Sequence, residues 1–203
     1  MTVKRTAYYF EKPGEENTDE CLRNVREAAL ERGVKHVVVA STRGIVGVKA
    51  AELLRGTDVK IVVVTHQTGY SEAGVQLLTE ENRRRIEATG ARIVTGTDVL
   101  TGGVDIGISR VRSPPDAAAA RLPSIMPPVP AIIANTLRLF CQGMKVCVEV
   151  ATMAADCGAV PLDKPIIAVA GSHAGADTAI LLTPASSNRI LDLKIHEILA
   201  KPL

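Results

Sequence analysis

Short apolar runs recur along the chain, and a stretch of helical periodicity follows most of them. Val37 to Ala40 and Lys60 to Thr65 are too uniformly apolar to present one wet face, so both read as strands buried on two sides. Arg92 to Thr95 and Ile166 to Ala170 repeat the theme. Strands that alternate with helices predict an α/β fold: a three-layer α/β/α sandwich around a mostly parallel sheet. Ala179 to Leu182 closes it as a final antiparallel strand after a glycine-rich turn. The 203 residues carry no internal repeat and no composition break, so one domain over 1–203 is expected.

The remaining elements follow from stop and start signals. Thr6 to Phe10 is a short strand. Asn17 and Glu20 have the spacing of a capping box before a helix that Gly33 ends. Ile45 to Leu54 is a helix with Val46, Ala50, Leu53 and Leu54 inward. Thr79 caps a polar helix that ends at Gly90. Thr97 to Ala120 is a long excursion rich in glycine and proline, with a small hairpin, and excursions of this length are often functional. Helices then cover Ala131 to Cys141, Lys145 to Cys157 and, last, Arg189 to Leu199.

Composition excludes several function classes. The net charge is +2 with acids and bases mixed, unlike the clustered basic footprint of a nucleic-acid binder. Aromatics are 2%, too few for a base-stacking platform. No apolar run reaches the roughly 20 residues that span a bilayer, and MTVKRTAYYF lacks the apolar core of a secretion signal. A cytoplasmic protein without membrane contact is the expectation. Cys21, Cys141, Cys147 and Cys157 have no CxxC spacing, so free, mostly buried thiols are expected and no metal site.

Ligands of open α/β sheets sit outside the carboxyl ends of the strands, which singles out three turns. Ser41-Thr42-Arg43-Gly44 joins a strand to a helix amino terminus, where unpaired N–H groups and a partial positive charge attract anions. Two hydroxyls, a guanidinium and a glycine there suit a phosphate, although Ser41 or Thr42 equally suits simple helix capping. Thr65-His66-Gln67-Thr68-Gly69 follows the neighbouring strand, and His66 suits a hydrogen bond to phosphate or ring. Gly171-Ser172-His173-Ala174-Gly175-Ala176-Asp177-Thr178 allows close backbone approach, and Asp177 suits a ligand hydroxyl. Glu149 and Asp156, seven apart, share a helix face and suit a carboxylate pair, although Glu149, semi-buried between Val148 and Val150, more simply pairs with a nearby base or lines the pocket edge. Arg83-Arg84-Arg85 reads as a solvated, ion-paired face.

The order of these parts carries a resemblance. HVVVASTRGIVGVKAAELLRGTDVKIVVVT and AADCGAVPLDKPIIAVAGSHAGADTAILLTPA resemble the core and the end of the pyruvate kinase carboxy-terminal domain. In that domain the two turns enclose a phosphosugar effector. The likeness implies Ser41, Thr42 and Gly44 at one phosphate, with Gly171, Gly175 and Thr178 across the pocket. The catalytic barrel of pyruvate kinase has no counterpart here, so kinase activity is not implied. YYFEKPGEENT, VVVASTRG, VVVTHQTGY and GADTAILLTPA resemble a stand-alone archaeal family of this fold that is associated with bound FMN. FMN is therefore the implied cofactor, with Asn17, Thr18, Thr65, His66 and Asp177 near its ribityl chain or ring. The rival expectation is a non-catalytic sugar-phosphate sensor, and a third is an enzyme on phosphate esters that uses Glu149 or Asp156 as base. Neither a reaction nor a subunit count follows from the sequence, and a homo-oligomer stays open.

Overall fold

The computed structural model describes residues 2–103 and 128–203. The excursion expected over 97–120, with its hairpin, lies outside the described residues from 104 onward. The strands are β1 (Tyr8–Phe10), β2 (His36–Ala40), β3 (Lys60–His66), β4 (Arg92–Gly96), β5 (Ile166–Ala170), β6 (Thr178–Thr183) and β7 (Lys194–Pro202). The helices are α1 (Thr18–Arg32), α2 (Ile45–Leu53), α3 (Glu80–Glu87), α4 (Val129–Arg138) and α5 (Gln142–Asp156). Short 3-10 turns cover Glu15–Asn17 and Ser187–Asp192.

Among the described residues the strands form one seven-stranded sheet in the order β1-β7-β6-β5-β2-β3-β4. β2 lies between β5 and β3 and runs parallel to both. β4 continues the parallel half, and β1 pairs in parallel with β7. β6 is antiparallel to β5 and to β7. The antiparallel strand is thus the penultimate one, and the last strand turns back to the direction of the others.

Alternation along the strands explains the two cores. Val37, Val39, Ile61, Val63, Ile167 and Val169 face a cluster with residues of α1, α2 and Ile86 of α3. Val38, Val62, Val64, Ile166, Ala168 and Ala170 face a second cluster with residues of α4 and α5. Each strand therefore buries both of its faces, as its unbroken apolar run requires. Helices cover both sides, and the sheet is the middle layer.

The helix expected over Arg189–Leu199 is not formed. Leu191, Ile195, Ile198 and Leu199 recur at helical spacing, but this segment is the 3-10 turn followed by β7. β7 gains two ladders at once, one on β6 and one on β1. Register shifts against β6 break the strict alternation by which a strand is recognised in sequence. Arg32, the last residue of α1, donates to both carboxylate oxygens of Glu197 at 2.7 and 3.0 Å and ties the helix to this strand.

The Asn17–Glu20 capping box is also absent. Asn17 has helical backbone angles and makes no capping bond; its side-chain amide donates to the Lys12 carbonyl at 2.8 Å. The other end of α1 follows expectation, because Gly33 stops it at φ 66°. Thr79 caps α3 by accepting the Asn82 N–H at 3.2 Å.

α5 approaches β6 through Gly143. A Cβ there would collide with the Thr178 side chain and lie 3.1 Å from an Asp177 carboxylate oxygen. Gly143→Ala should lower stability by about 1–3 kcal/mol, as overpacking does. For a chain of this length that is roughly 2–12 °C of Tm, read by thermal denaturation. An unchanged Tm would contradict this account of the α5–β6 contact.

Candidate functional site

The parallel order β5-β2-β3-β4 brings the turns after Ala170, Ala40, His66 and Gly96 to one edge of the sheet. The Ser41 N–H donates to the Val64 carbonyl at 2.9 Å, and the Thr65 hydroxyl donates to the Thr42 carbonyl at 2.9 Å. The first two turns are therefore laced together. Thr65 is fully engaged in this role and buried.

In the first turn, Ser41 is buried and its Oγ accepts the Gly47 N–H at 3.0 Å, capping α2. Its hydroxyl proton remains a donor. Gly44 precedes α2 with φ 94°, and a Cβ there would meet Leu78 and Asn82 at 2.6 Å. Asn82 donates to the Arg43 carbonyl at 2.9 Å. The Arg43 side chain is exposed and has no carboxylate partner among the described residues. Thr42 is half-buried beside it.

His66 lies at the end of β3. Its Nδ1 is 2.8 Å from Asp98 Oδ1, and its ring stacks on Tyr70 with centroids 3.9 Å apart and planes 12° from parallel. Asp98 is buried and His66 half-buried. With Nδ1–H donating to the Asp98 carboxylate, Nε2 is the ring nitrogen left without a partner among the described residues. Gln76 donates to the His66 carbonyl at 3.2 Å and holds the loop back onto the strand.

The loop after β4 is pinned from two sides. Asp98 holds His66, while the Leu100 and Thr101 N–H groups donate to Glu149 Oε1 at 2.9 and 3.0 Å. Glu149 also pairs with Lys145 one turn earlier on α5, and Lys145 donates to the Thr101 hydroxyl at 2.7 Å. Both ions are almost wholly buried. Gly102 closes this loop tightly on Asp98, whose backbone N and O a Cβ would meet at 2.9 and 2.7 Å.

The third turn is closed by its own contacts. Asp177, fully buried, accepts from Gly14 N–H at 3.2 Å, from Ser172 at 2.8 Å and from the Thr178 hydroxyl at 2.7 Å. Thr18 donates to the Glu15 carbonyl at 2.6 Å and accepts the Ala176 N–H at 3.0 Å. Gly171 packs against the Gly175 carbonyl, and Gly175 packs on Glu15 and Thr18. Thr18, Asp177 and Thr178 thus spend their side-chain groups on the chain's own packing, whereas the Asn17 side-chain oxygen and the Gly171 and Gly175 N–H groups have no partner among the described residues.

Glu149 and Asp156 do not work as a pair. Glu149 is buried in the loop anchor, whereas Asp156 is exposed at the far end of α5 and accepts the Ser187 N–H at 2.8 Å. Seven residues of helix separate them by about 10 Å along the axis. The arginine run meets expectation: Arg83 pairs with Glu80 and Glu87, and Arg85 with Glu52.

The edge thus collects Ser41, Thr42, Arg43, Gly44, Thr65 and His66 from the sequence reading. It adds Asp98, Thr101, Lys145 and Tyr70, which that reading passed over. The i,i+4 spacing of Lys145 and Glu149 was a visible signal for their ion pair. Asp98 carried the weaker signal of standing just after a strand end. Among the described residues no group of three or more His, Cys, Asp or Glu side chains is placed to hold a metal ion. Among them, too, no helix is long and apolar enough to cross a membrane.

No protein-family model matches the chain. Among solved structures it is similar to O-ureido-L-serine synthase over a limited stretch. The sequences there are 24% identical, the TM-score is 0.29, and the match covers 38% of this chain and 22% of that one. A likeness that loose carries no argument about fold or function.

Two measurements check these contacts. Lys145→Met should cost about 3–5 kcal/mol by stranding the Glu149 charge, and adding Glu149→Leu should recover much of it. Equal loss in the single and double variants would show that the ion pair does not anchor the loop. The cysteines differ by environment: burial, with the nearby Asp177 charge, pushes the Cys21 thiol up to about 12, and burial raises Cys147 well above its ordinary range. Cys157 is exposed, contrary to the core role expected of it, and Cys141 half-buried, capping α5. At mildly alkaline pH, thiol labelling followed by mass mapping should find Cys157 first, with Cys21 and Cys147 reacting only on unfolding.

Proposed function

We propose that the protein binds a phosphate-bearing small molecule at the carboxyl edge, with the phosphate on the Ser41–Gly44 turn and FMN as the first candidate. The observation that carries this is the Arg43 side chain, exposed and without a carboxylate partner among the described residues, at the amino terminus of α2. Around it stand the free proton of Ser41, the hydroxyl of Thr42 and the backbone N–H groups of the first helical turn. His66, laced to this turn through β3, adds Nε2 as a second polar contact, oriented by Asp98.

The resemblance to the pyruvate kinase carboxy-terminal domain, and to an archaeal FMN-associated family, supports this reading. FMN fits the phosphate turn. The stacked pair His66 and Tyr70 offers a flat surface beside it for a ring. When bound, FMN supplies redox chemistry at its ring; Ser41, Thr42, Arg43 and Gly44 would hold its phosphate. Of the ribityl contacts expected, Thr18 and Asp177 are already engaged within the chain, whereas the Asn17 side-chain oxygen has no partner among the described residues. That engagement favours a second reading, a sugar phosphate bound mainly through its phosphate by a non-catalytic sensor.

Arg43→Ala tests the shared claim. Loss of one charge-assisted hydrogen bond, about 1.5–3 kcal/mol, should weaken FMN binding by roughly 10- to 150-fold. Riboflavin, which lacks the phosphate, should lose nothing. Equal FMN affinity in the variant would show that the phosphate sits elsewhere. Binding of sugar phosphates but not FMN by the unaltered protein would select the sensor.

A further inference from the structure

Between α1 and the residues that lead into β1 lies a cavity of ≈ 240 Å³. One wall is α1, which contributes Asn24, Glu27, Ala28 and Glu31. Their i, i+3, i+4, i+7 spacing puts them on one face of the helix. The other wall carries Lys4 and Arg5, from the segment before β1, and Leu199 of β7 also lines the space. Every strand but β6 runs in one direction, so the start of β1 lies at the amino edge of the sheet. The Ser41–Gly44 turn is at the other edge.

The cavity holds charges of both signs, and not all of them are spent within the protein. Arg32, which also lines it, is spent: it donates to both carboxylate oxygens of Glu197 and to Glu31 at 2.9 Å. Lys4 and Glu27 have no ion-pair partner among the described residues. Arg5 comes within 3.8 Å of Glu197, too far for a hydrogen bond. Lys4, Arg5 and Glu27 therefore share one cavity, with bases on one wall and acid on the other.

Asn24 sets this cavity apart from an ordinary seam. It is only 8% exposed, and its Nδ2 has no hydrogen-bond partner among the described residues. A buried amide N–H left without an acceptor is costly. Such groups are normally completed by an ordered water or another bound species.

We propose that this cavity binds a small zwitterion, an α-amino acid with a short side chain. Its carboxylate meets Lys4, Arg5 and the Asn24 amide, and its ammonium meets Glu27. The acids stand on the helix and the bases on the segment before β1, so the two charged groups of the ligand reach different walls. A simple anion would leave Glu27 uncompensated beside it, and a simple cation would do the same to Lys4 and Arg5. The volume is below the roughly 300–1,000 Å³ of pockets for drug-sized molecules, which suits a ligand of few atoms. The exposed lining is mainly polar, which disfavours a long hydrocarbon side chain. The site does not depend on what binds at the Ser41–Gly44 turn.

The test uses the intact protein, with glycine, L-alanine and L-serine as probes, followed by calorimetry and by NMR of the backbone amides. At least one should bind at up to about 10 mM and move the amide signals of Asn24, Glu27 and the residues before β1. Acetate and methylammonium, which each carry one of the two charges, should bind about tenfold more weakly or worse. Glu27→Gln and Lys4→Gln should each weaken amino-acid binding by about tenfold or more. Both residues are exposed and unpaired, so these variants should keep their Tm and their affinity for FMN. Any of four results overturns the proposal: no binding by the three probes at that concentration, acetate or methylammonium binding as tightly as the amino acid, amide signals that move only elsewhere, or full affinity in either variant. The first would mean that water alone completes Asn24.

Discussion

Parallel pairing of β2 between β5 and β3 is the constraint on which the rest of the molecule depends. Val37 to Val39 pair with Ile167 to Val169 on one side, and His36 to Ala40 pair with Lys60 to Val64 on the other. Parallel neighbours end at the same edge, so the chain's turns converge there without any long-range design of their own. The Ser41 N–H extends the ladder one residue past β2 and fixes the first turn against the second. The same register gathers the starts of these strands at the opposite edge.

Two buried carboxylates organise the carboxyl edge. Asp177 draws together the turn after β5, the 3-10 turn before α1 and the start of β6. Glu149 anchors the loop after β4 to α5 with Lys145. A buried carboxylate must have its lone pairs satisfied, and each of these accepts several donors. In the bare sequence Asp177 suits a ligand hydroxyl, and Glu149 suits an ion pair with a nearby base or, with Asp156, a carboxylate pair. Their contacts make them internal struts. What the struts leave exposed or half-exposed is smaller and more specific: Arg43, Thr42 and the oriented His66 ring.

The parallel half of the sheet was legible in sequence because β2, β3 and β5 must bury both faces and so show unbroken apolar runs. β7 was not legible. Its ladder shifts against β6 break the alternation, and Leu191, Ile195 and Ile198 then mimic a helix face. The decision lies in pairing with β6 and β1, which no local window contains. Asn17 failed as a cap for a related reason: the 3-10 turn before α1 already gives it helical backbone angles, so its side chain turns to Lys12. The candidate site was half legible. The Ser41–Gly44 turn and His66 stand at strand ends, where the edge rule points directly. The third turn, also at a strand end, is partly filled by the chain itself, because Gly175 admits Glu15 and Thr18, and Gly171 admits the Gly175 carbonyl. Asp98 was missed because its partner His66 is 32 residues away in sequence, whereas Lys145 stood one helical turn from Glu149 and only its contact to Thr101 is distant.

The central claim is a phosphate-bearing ligand on the Ser41–Gly44 turn, with FMN first in line. The most direct measurement is an absorption spectrum of the purified protein, before and after added FMN, with mass analysis of what heat releases. The account predicts flavin bands in the blue and near ultraviolet and a released mass equal to FMN. A protein that is colourless, takes up no FMN and releases no phosphate ester would contradict it.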